Sequence, residues 1–243
     1  MRVFSKTDIG SVRQTNQDAY YTSMIGNDTC FAVVCDGMGG ASAGNVASEM
    51  AVNTIERYVT RAYSGEMSFD ERSQLLQNAV LSANIEVFEA AKRNPALSGM
   101  GTTVVTAIAS PAGVTVCHVG DSRAYMVADG IIQLTRDHSV VQNLVESGEL
   151  TPEEAQSHPK KNIITRALGV EENVLSDCVT APFPENGKLL LCTDGLTNYA
   201  SEEYIKETLS AEKPENAAEL LCNKAVRGGG GDNITAVVIS NDQ

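Results

Sequence analysis

The sequence predicts a layered α+β fold in which antiparallel sheets are covered by long helices. Most of the apolar strand patterns are joined by tight turns, which favours antiparallel pairing. The elements run as strands, two helices, a block of strands, two helices and a last strand, which is not a repeating β-α-β order. The helices are amphipathic, so each needs a sheet face to cover. A layered sandwich satisfies all three observations.

The first half of the chain begins with a short strand over residues 2–9 and a polar loop over 13–18. Strands over 20–25 and 29–35 form a hairpin that delivers Asp36 at its end. A long helix follows the glycines after Asp36, because apolar residues recur there at helical spacing. A second helix covers about 70–93 and ends at Asn94-Pro95.

The second half returns to strand patterns at 102–109 and 114–119, followed by a hairpin of 123–127 and 131–134 around the turn Asp129-Gly130. Residues 138–147 are predicted to be helical. Residues 149–161 are polar and show little periodicity, which indicates a mobile flap. Strands at 176–182 and 188–193, helices at 201–210 and 214–226, a glycine run and a strand at 233–240 complete the chain.

Size and composition narrow the class of protein. The 243 residues are 42% apolar and contain neither repeats nor long linkers, which favours one domain over residues 1–243. A net charge of −13 argues against a nonspecific nucleic-acid binder. The six cysteines include no CxxC pair, so reduced and mostly buried thiols are expected. The start resembles no secretion signal, and no run of roughly 18 apolar residues exists, so the expected location is cytoplasmic, without membrane contact.

Four aspartates carry the clearest chemical signal. Asp36, Asp121, Asp194 and Asp232 are far apart in sequence, and each lies where an apolar segment meets glycine. Mg²⁺ and Mn²⁺ prefer oxygen ligands, so the four aspartates predict one metal site gathered from several strand ends. The glycine after Asp36 could offer its carbonyl to a cation. For any single Asp-Gly pair the alternative is a plain turn.

Two further features concern phosphate. The fork of Arg13 suits bidentate binding of a phosphate, although an arginine in a polar loop is more often a solvated charge. The glycine run at 228–231 matches neither the P-loop nor the dinucleotide pattern. The phosphate hypothesis therefore depends on Arg13.

Eight short motifs occur in an order that resembles a known family. They are RQTNQD at 13–18, DGMGG at 36–40, GTT at 101–103, VGDSR at 119–123, DHS at 137–139, ITRALG at 164–169, CTDGL at 192–196 and GDNIT at 231–235. Together they resemble the metal-dependent serine/threonine phosphatases of the type 2C, or PPM, class in their compact bacterial form. They span nearly the whole chain, which makes the resemblance specific.

The resemblance implies a four-layer αββα sandwich, with two antiparallel β-sheets flanked by pairs of helices, and a flap over about 140–165. It implies two Mn²⁺ or Mg²⁺ ions bridged by Asp36 and a water, with a hydroxide that attacks phosphorus in line. The implied residue roles are as follows: Asp194 and Asp232 complete one ion, the Gly37 carbonyl serves the other, Asp18 holds its waters, Asp121 helps to hold a third, weaker ion, and Arg13 binds the substrate phosphate.

The chain departs from the family where the leaving group needs a proton. Many eukaryotic members have histidine where Met38 stands, and many bacterial members have one where Ala41 stands. The histidines of this chain are His118, which lies mid-strand, His138, in a family motif, and His158, on the flap. We therefore hypothesise that a metal-bound water protonates the leaving alkoxide.

The function predicted from this resemblance is hydrolysis of phosphoserine and phosphothreonine in phosphorylated proteins, opposing a bacterial serine/threonine kinase, by a monomeric enzyme. One alternative is a pseudophosphatase that binds phosphoproteins without turnover. The intact aspartate set argues against it, because a buried carboxylate cluster is costly without a cation. Another alternative is a phosphatase specialised for one regulatory partner, such as a phosphorylated anti-sigma antagonist.

Overall fold

The computed structural model describes residues 1–242, without the side chains of residues 41 and 42. Within these residues the strands are β1 (Arg2–Asp8), β2 (Asp18–Gly26), β3 (Thr29–Met38), β4 (Gly101–Thr102), β5 (Val104–Ser110), β6 (Gly113–Val119), β7 (Arg123–Val127), β8 (Ile131–Gln133), β9 (Asp177–Ala181), β10 (Lys188–Cys192) and β11 (Ile234–Ser240). The α-helices are α1 (Gly40–Ala62), α2 (Phe69–Arg93), α3 (Val140–Glu146), α4 (Pro152–Ser157), α5 (Asp194–Thr197), α6 (Glu202–Ala211) and α7 (Pro214–Gly228).

The strands form two antiparallel sheets. One has the order β1-β11-β10-β7-β8, and the other has the order β2-β3-β5-β6-β9 with β4 added beside β3. The two chain ends meet in the first sheet, where Arg2 lies opposite Ser240. The prediction of an α+β fold with two antiparallel sheets is confirmed.

Strand β3 shows how the layers are specified by alternation. Phe31 and Val33 face α1 and α2, whereas Ala32 and Val34 face the other sheet. Successive side chains of a strand point to opposite faces, so an unbroken apolar run indicates a strand covered on both sides. The strand is therefore central in a helix–sheet–sheet–helix stack.

The helices close the two outer faces. Helix α2 begins with a capping box between Ser68 and Glu71, and its backbone leaves the helix at Asn94. On the other face, Ile205 of α6 and Leu221 of α7 belong to the cluster that covers the five-stranded sheet. Both outer helix layers therefore contribute to fully buried cores.

Three local expectations need correction. Residues 149–161 are not patternless, because α4 lies within them and begins with a capping box between Thr151 and Glu154. The expected strand at 102–109 is divided at Thr103, which separates β4 from β5. The short helix α5 follows β10 directly and was not expected.

The expectation of six reduced thiols is wrong for one pair. Cys117 of β6 and Cys178 of β9 lie directly opposite each other and form a disulfide. The remaining thiols are free and buried, as expected: Cys30, Cys35, Cys192 and Cys222. The pair is 61 positions apart in sequence, and only the antiparallel pairing of β6 with β9 brings it together.

None of the helices within residues 1–242 combines the length and the apolar character that a membrane crossing requires.

Candidate metal centre

Asp36 and Asp18 form the middle of the candidate centre. They lie directly opposite each other where β2 begins and β3 nears its end. The Oδ1 atom of the Asp18 carboxylate is enclosed and has no hydrogen-bond partner in the described structure. Two acidic side chains therefore face the same space from neighbouring strands, although 18 positions separate them in sequence.

The second oxygen of Asp18 is tied to the other sheet. Its Oδ2 accepts hydrogen bonds from the hydroxyls of Thr193, at 3.0 Å, and Thr235, at 2.7 Å. Thr193 follows β10 and Thr235 lies in β11, whereas Asp18 belongs to the six-stranded sheet. The carboxylate thus fixes one sheet against the other at the edge where the aspartates meet.

The backbone of Asp36 is held by the residues that interrupt the 102–109 strand. Its N–H donates to the hydroxyl of Thr103 at 3.0 Å, and its carbonyl accepts from the Thr103 N–H and the Thr102 hydroxyl, each at 2.9 Å. The break between β4 and β5 therefore serves to grip Asp36. Thr103 also shares a 2.7 Å hydroxyl hydrogen bond with Ser122, beside Asp121.

Gly37 is enclosed by backbone on both sides. A Cβ at this position would collide with the carbonyl of Gly44 and would lie 2.6 Å from the carbonyl of Gln17. Its N–H already donates to that Gln17 carbonyl at 3.1 Å. Only glycine fits this cradle.

Asp194 reaches the site from the first turn of α5. Its Oδ2 accepts from Asn198 at 3.1 Å, while its Oδ1 is enclosed without a partner. The next residue, Gly195, packs against the carbonyl of Asn233, where a Cβ would collide. That contact holds the start of α5 against the 231–235 segment.

Asp232 and Arg13 meet at the outer side of the site. Arg13 donates from Nη2 to Asp232 Oδ2 at 2.8 Å, and Asp232 Oδ1 accepts the N–H of Asn233 at 2.8 Å. Both side chains of this ion pair are partly open to solvent, with 49% of Arg13 and 32% of Asp232 exposed. Arg13 can therefore reach a ligand that arrives from solvent.

Asn233 is a positioning residue that sequence reasoning missed. Its amide donates to the carbonyls of Ile9 and Thr15 at 2.9 and 3.0 Å, and its oxygen accepts the Gln17 N–H at 2.8 Å. The side chain is buried and pins the loop that carries Arg13. Its place beside Asp232 in the GDNIT motif is the signal that could have identified it.

Asp121 lies in the turn between β6 and β7, close enough to Asp36 for its charge to raise the pKa of that residue. Burial, followed by the charges of Asp194 and Asp137, raises its pKa to about 7. Its neighbour Arg123 is engaged elsewhere and donates to both carboxylate oxygens of Asp137 at 2.6 to 3.0 Å. In the described structure, Asp121 therefore has no basic side chain that forms an ion pair with it.

The aspartates raise one another's pKa. Burial raises the pKa of Asp18 to about 7, against hydrogen bonds from the two threonines that lower it. Burial also raises the pKa of Asp36 well above its usual value, and the charges of Asp18, Asp194, Asp121 and Asp232 add to the effect. For Asp194 the causes are burial and then Asp232. Such mutual destabilisation is relieved when a cation binds among the carboxylates.

The donor set fits a hard divalent cation only if side chains are not the sole ligands. Among residues 1–242, no group of three Asp, Glu, His or Cys side chains is arranged so that it could hold a metal ion by itself. Mg²⁺ keeps several waters and accepts carbonyl oxygens, so it needs only one or two carboxylates. The unpartnered oxygens of Asp18 and Asp194 suit that mode of binding.

None of the three histidines makes a hydrogen bond to any of these aspartates in the described structure. His118 is bound to the Arg136 carbonyl, His138 to Gly120 and Asp177, and His158 to the Lys160 N–H. Met38 lies at the end of β3 beside Gly101, and the side chain of Ala41 lies outside the described part of the structure. That none of these histidines takes over the role of the family histidines absent at positions 38 and 41 stays a prediction.

Comparison with known proteins assigns the chain to a family. A model described as protein phosphatase 2C matches residues 11–223. The chain is 38% identical over 239 residues to the serine/threonine phosphatase Stp of Listeria monocytogenes serotype 4b, covering 98% of this chain and 94% of the relative. It is 35% identical to the serine/threonine protein phosphatase PstP of Mycobacterium tuberculosis, covering 98% of this chain and 44% of that longer protein.

Solved structures agree with the sequence comparison. The crystal structure of the serine/threonine phosphatase Stp1 from Staphylococcus aureus superposes with a TM-score of 0.91 at 34% identity, covering 98% of this chain and 94% of that one. The catalytic domain of PstP in complex with two manganese ions superposes with a TM-score of 0.85 at 33% identity, covering 98% and 96%. Relatives match both the sequence and the fold over 98% of this chain. The chain therefore belongs to the protein phosphatase 2C family of metal-dependent enzymes and is a serine/threonine protein phosphatase.

Proposed function

We propose that Asp36, Asp194 and Asp232, together with the Gly37 carbonyl and Asp18, hold two Mn²⁺ or Mg²⁺ ions, and that Asp121 helps to hold a third. The single observation that carries this proposal is the pair of enclosed, unpartnered carboxylate oxygens on Asp18 and Asp194. Leaving buried charges uncompensated is costly, and a bound cation removes that cost.

When bound, the cations supply Lewis-acid charge that activates water and screens the phosphate. The chain's own residues do the rest. Thr102 and Thr103 fix the backbone of Asp36, so its carboxylate is presented in one orientation. Arg13, held beside Asp232 by the loop that Asn233 pins, offers a planar fork to the substrate phosphate. Positioning of phosphate and carboxylates on a rigid sheet edge contributes by lowering the entropic cost of the reaction.

The proton for the leaving serine or threonine has no histidine donor in this proposal. Solvent held at the centre supplies it, in agreement with the hydrogen bonds that occupy His118 and His138 elsewhere. A pH–rate profile decides the point: an acidic group that disappears in His138→Ala or His158→Ala would contradict solvent as the acid.

The site assignment is tested by manganese-dependent release of phosphate from a phosphothreonine peptide, with Mn²⁺ binding followed in parallel by calorimetry. Asp36→Asn and Asp232→Asn should each abolish turnover and weaken Mn²⁺ binding. Asp129→Asn, in the exposed turn between β7 and β8, is the matched control and should change neither. Full activity in Asp36→Asn would refute the assignment.

The physiological setting follows from the phosphoprotein substrates of the family. We propose that the enzyme opposes a serine/threonine kinase in the cytoplasm, that it acts as a monomer, and that its charge of −13 keeps it from nucleic acid. Light scattering of the purified protein tests the monomer. Dephosphorylation of an autophosphorylated kinase tests the partner class. The single-domain organisation over 1–243 stays a prediction.

A further inference from the structure

We infer that His138 is a positioning residue for the reaction, because it ties the Gly120–Asp121 turn to the chain that leaves the flap. The flap here is residues 140–165. The inference rests on the proposed function in one respect, since it assigns Asp121 a part in holding a cation. It assigns no direct contact with substrate to His138.

The contact with Gly120 is reciprocal. The His138 N–H donates to the Gly120 carbonyl at 2.9 Å, and the Gly120 N–H donates to His138 Nδ1 at 3.1 Å. Gly120 has a φ of 103°, and a Cβ there would lie 2.7 Å from the side chain of Thr103. The turn is therefore held from both sides in a conformation that favours glycine, immediately before Asp121.

The other side of His138 holds the end of the flap. Its carbonyl accepts the Thr165 N–H at 2.8 Å, and the next residue, Ser139, forms a β-bridge with Ile164. The second ring nitrogen, Nε2, lies 3.3 Å from the carboxylate of Asp177 in β9. Arg166 donates to that same carboxylate at 3.0 Å. The backbone at His138 thus holds the end of the flap, while its ring connects the Asp121 turn to Asp177 of β9 and to Arg166, which follows the flap.

The hydrogen bonds of the His138 ring require its neutral form, with the proton on Nε2. Because Nδ1 accepts a hydrogen bond from Gly120, the proton of the neutral ring is on Nε2, which lies 3.3 Å from the Asp177 carboxylate and 3.1 Å from Arg166 Nη1. Burial, followed by the neighbouring His118, lowers the pKa of His138, which favours the neutral ring. Only 5% of the residue is exposed.

His118 provides the comparison that separates positioning from packing. Its ring stacks on that of His138, with centroids 4.7 Å apart, and is equally buried. Its Nε2 binds the Arg136 carbonyl, and its Nδ1 is enclosed without a partner. His118 therefore fills the same core without holding the Asp121 turn.

The experiment compares His138→Ala, His138→Asn, His138→Gln and His118→Ala by calorimetric titration with Mn²⁺ and by the Mn²⁺ dependence of kcat and KM on a phosphothreonine peptide. An asparagine oxygen can occupy the place of Nδ1, whereas a glutamine amide reaches the place of Nε2. We expect His138→Ala to weaken the weakest Mn²⁺ binding step about 10- to 100-fold. His138→Asn should restore most of it, and His138→Gln should not. His118→Ala should lower the melting temperature without weakening Mn²⁺ binding.

The controls separate this inference from the proposed function. If Asp121→Asn leaves Mn²⁺ binding unchanged, the role of Asp121 is wrong and the inference about His138 falls with it. If Asp121→Asn removes the weak step while His138→Ala retains it, only the role of His138 is wrong. Equal losses in His138→Ala and His118→Ala would also overturn it. Should His138→Ala fail to fold, the comparison of the Asn and Gln variants decides: equal Mn²⁺ binding in the two contradicts the inference.

Discussion

The buried carboxylate of Asp18 should make the protein less stable in chelator as the pH rises, and Asp18→Asn should remove that loss. Burial raises the pKa of Asp18 from 3.8 to about 7. Between these values the folded protein keeps a proton that the unfolded chain gives up, so the free energy of unfolding falls as pH rises. Each pKa unit corresponds to about 1.4 kcal/mol. The three-unit shift therefore costs roughly 4 kcal/mol above about pH 7.

The substitution keeps the size and shape of the side chain, removes its charge and places an amide nitrogen at the position of Oδ1. An asparagine oxygen can still accept from the hydroxyls of Thr193 and Thr235, which bind Oδ2 in the native protein. The amide cannot ionise, so its contribution does not depend on pH. Without divalent cations, Asp18→Asn should be more stable than the native protein at about pH 8 and should keep less than half of this advantage at about pH 5.

The assay is thermal unfolding in chelator and in excess Mn²⁺ at both pH values. A gain of 4 kcal/mol corresponds to roughly 10 °C in melting temperature for a chain of this length. Added Mn²⁺ should stabilise the native protein more than the variant, since binding to the folded state raises stability. Asp129→Asn, in an exposed turn, is the control. A native melting temperature in chelator that does not fall between pH 5 and about pH 8, or a variant that is equally destabilised at both values, would refute the reasoning.

Three further expectations concern the surroundings of the site. Gly37→Ala should destabilise the protein by at least about 2 kcal/mol, because its Cβ would collide with a carbonyl of α1; denaturant unfolding measures this, and native-like stability would contradict the cradle. Arg13→Ala should raise KM for a phosphothreonine peptide about tenfold or more while Mn²⁺ binding persists, and an unchanged KM would exclude Arg13 as the phosphate ligand. The Cys117–Cys178 disulfide closes a loop of 61 residues, and its reduction should remove up to about 4 kcal/mol of stability. Dithiothreitol should therefore lower the melting temperature of the native protein but not of Cys117→Ser.

Most of the fold could be predicted because its central strands are buried on both faces. In β3 the run from Thr29 to Cys35 is buried throughout, and its end at the first Asp-Gly pair is a sharp composition change. What could not be predicted depends on pairing between strands. Cys117 and Cys178 are brought together by the register of β6 with β9, which no local pattern encodes. Helix α4 is different, since its Thr-Pro-Glu-Glu start is a helix signal that periodicity alone overlooks.

The candidate site divides in the same way. Asp36, Asp194 and Asp232 could be selected from the sequence because each follows an apolar strand or a glycine run and adjoins glycine. Asp18 could be selected only through family resemblance, since its own surroundings are polar and its position opposite Asp36 is a matter of register. Asn233 was missed because its contacts are to backbone carbonyls of a distant loop. Sequence patterns identify the groups that carry charge better than those that hold them.

The geometry of the centre depends on how the two sheets pack against each other. Asp18 belongs to one sheet, and the hydroxyls that orient it, from Thr193 and Thr235, belong to the other. The core between the sheets contains small side chains at Ala32 and Ala124, so the sheets can approach closely there. A larger residue at either position would separate the sheets and lengthen the hydrogen bonds to Asp18, because well-packed cores transmit strain instead of absorbing it. On the proposed assignment of the ligands, core residues without any contact to the ions would therefore contribute to the affinity for metal. A rigid double sheet would suit such a centre, because its proposed ligands come from strands distant in sequence.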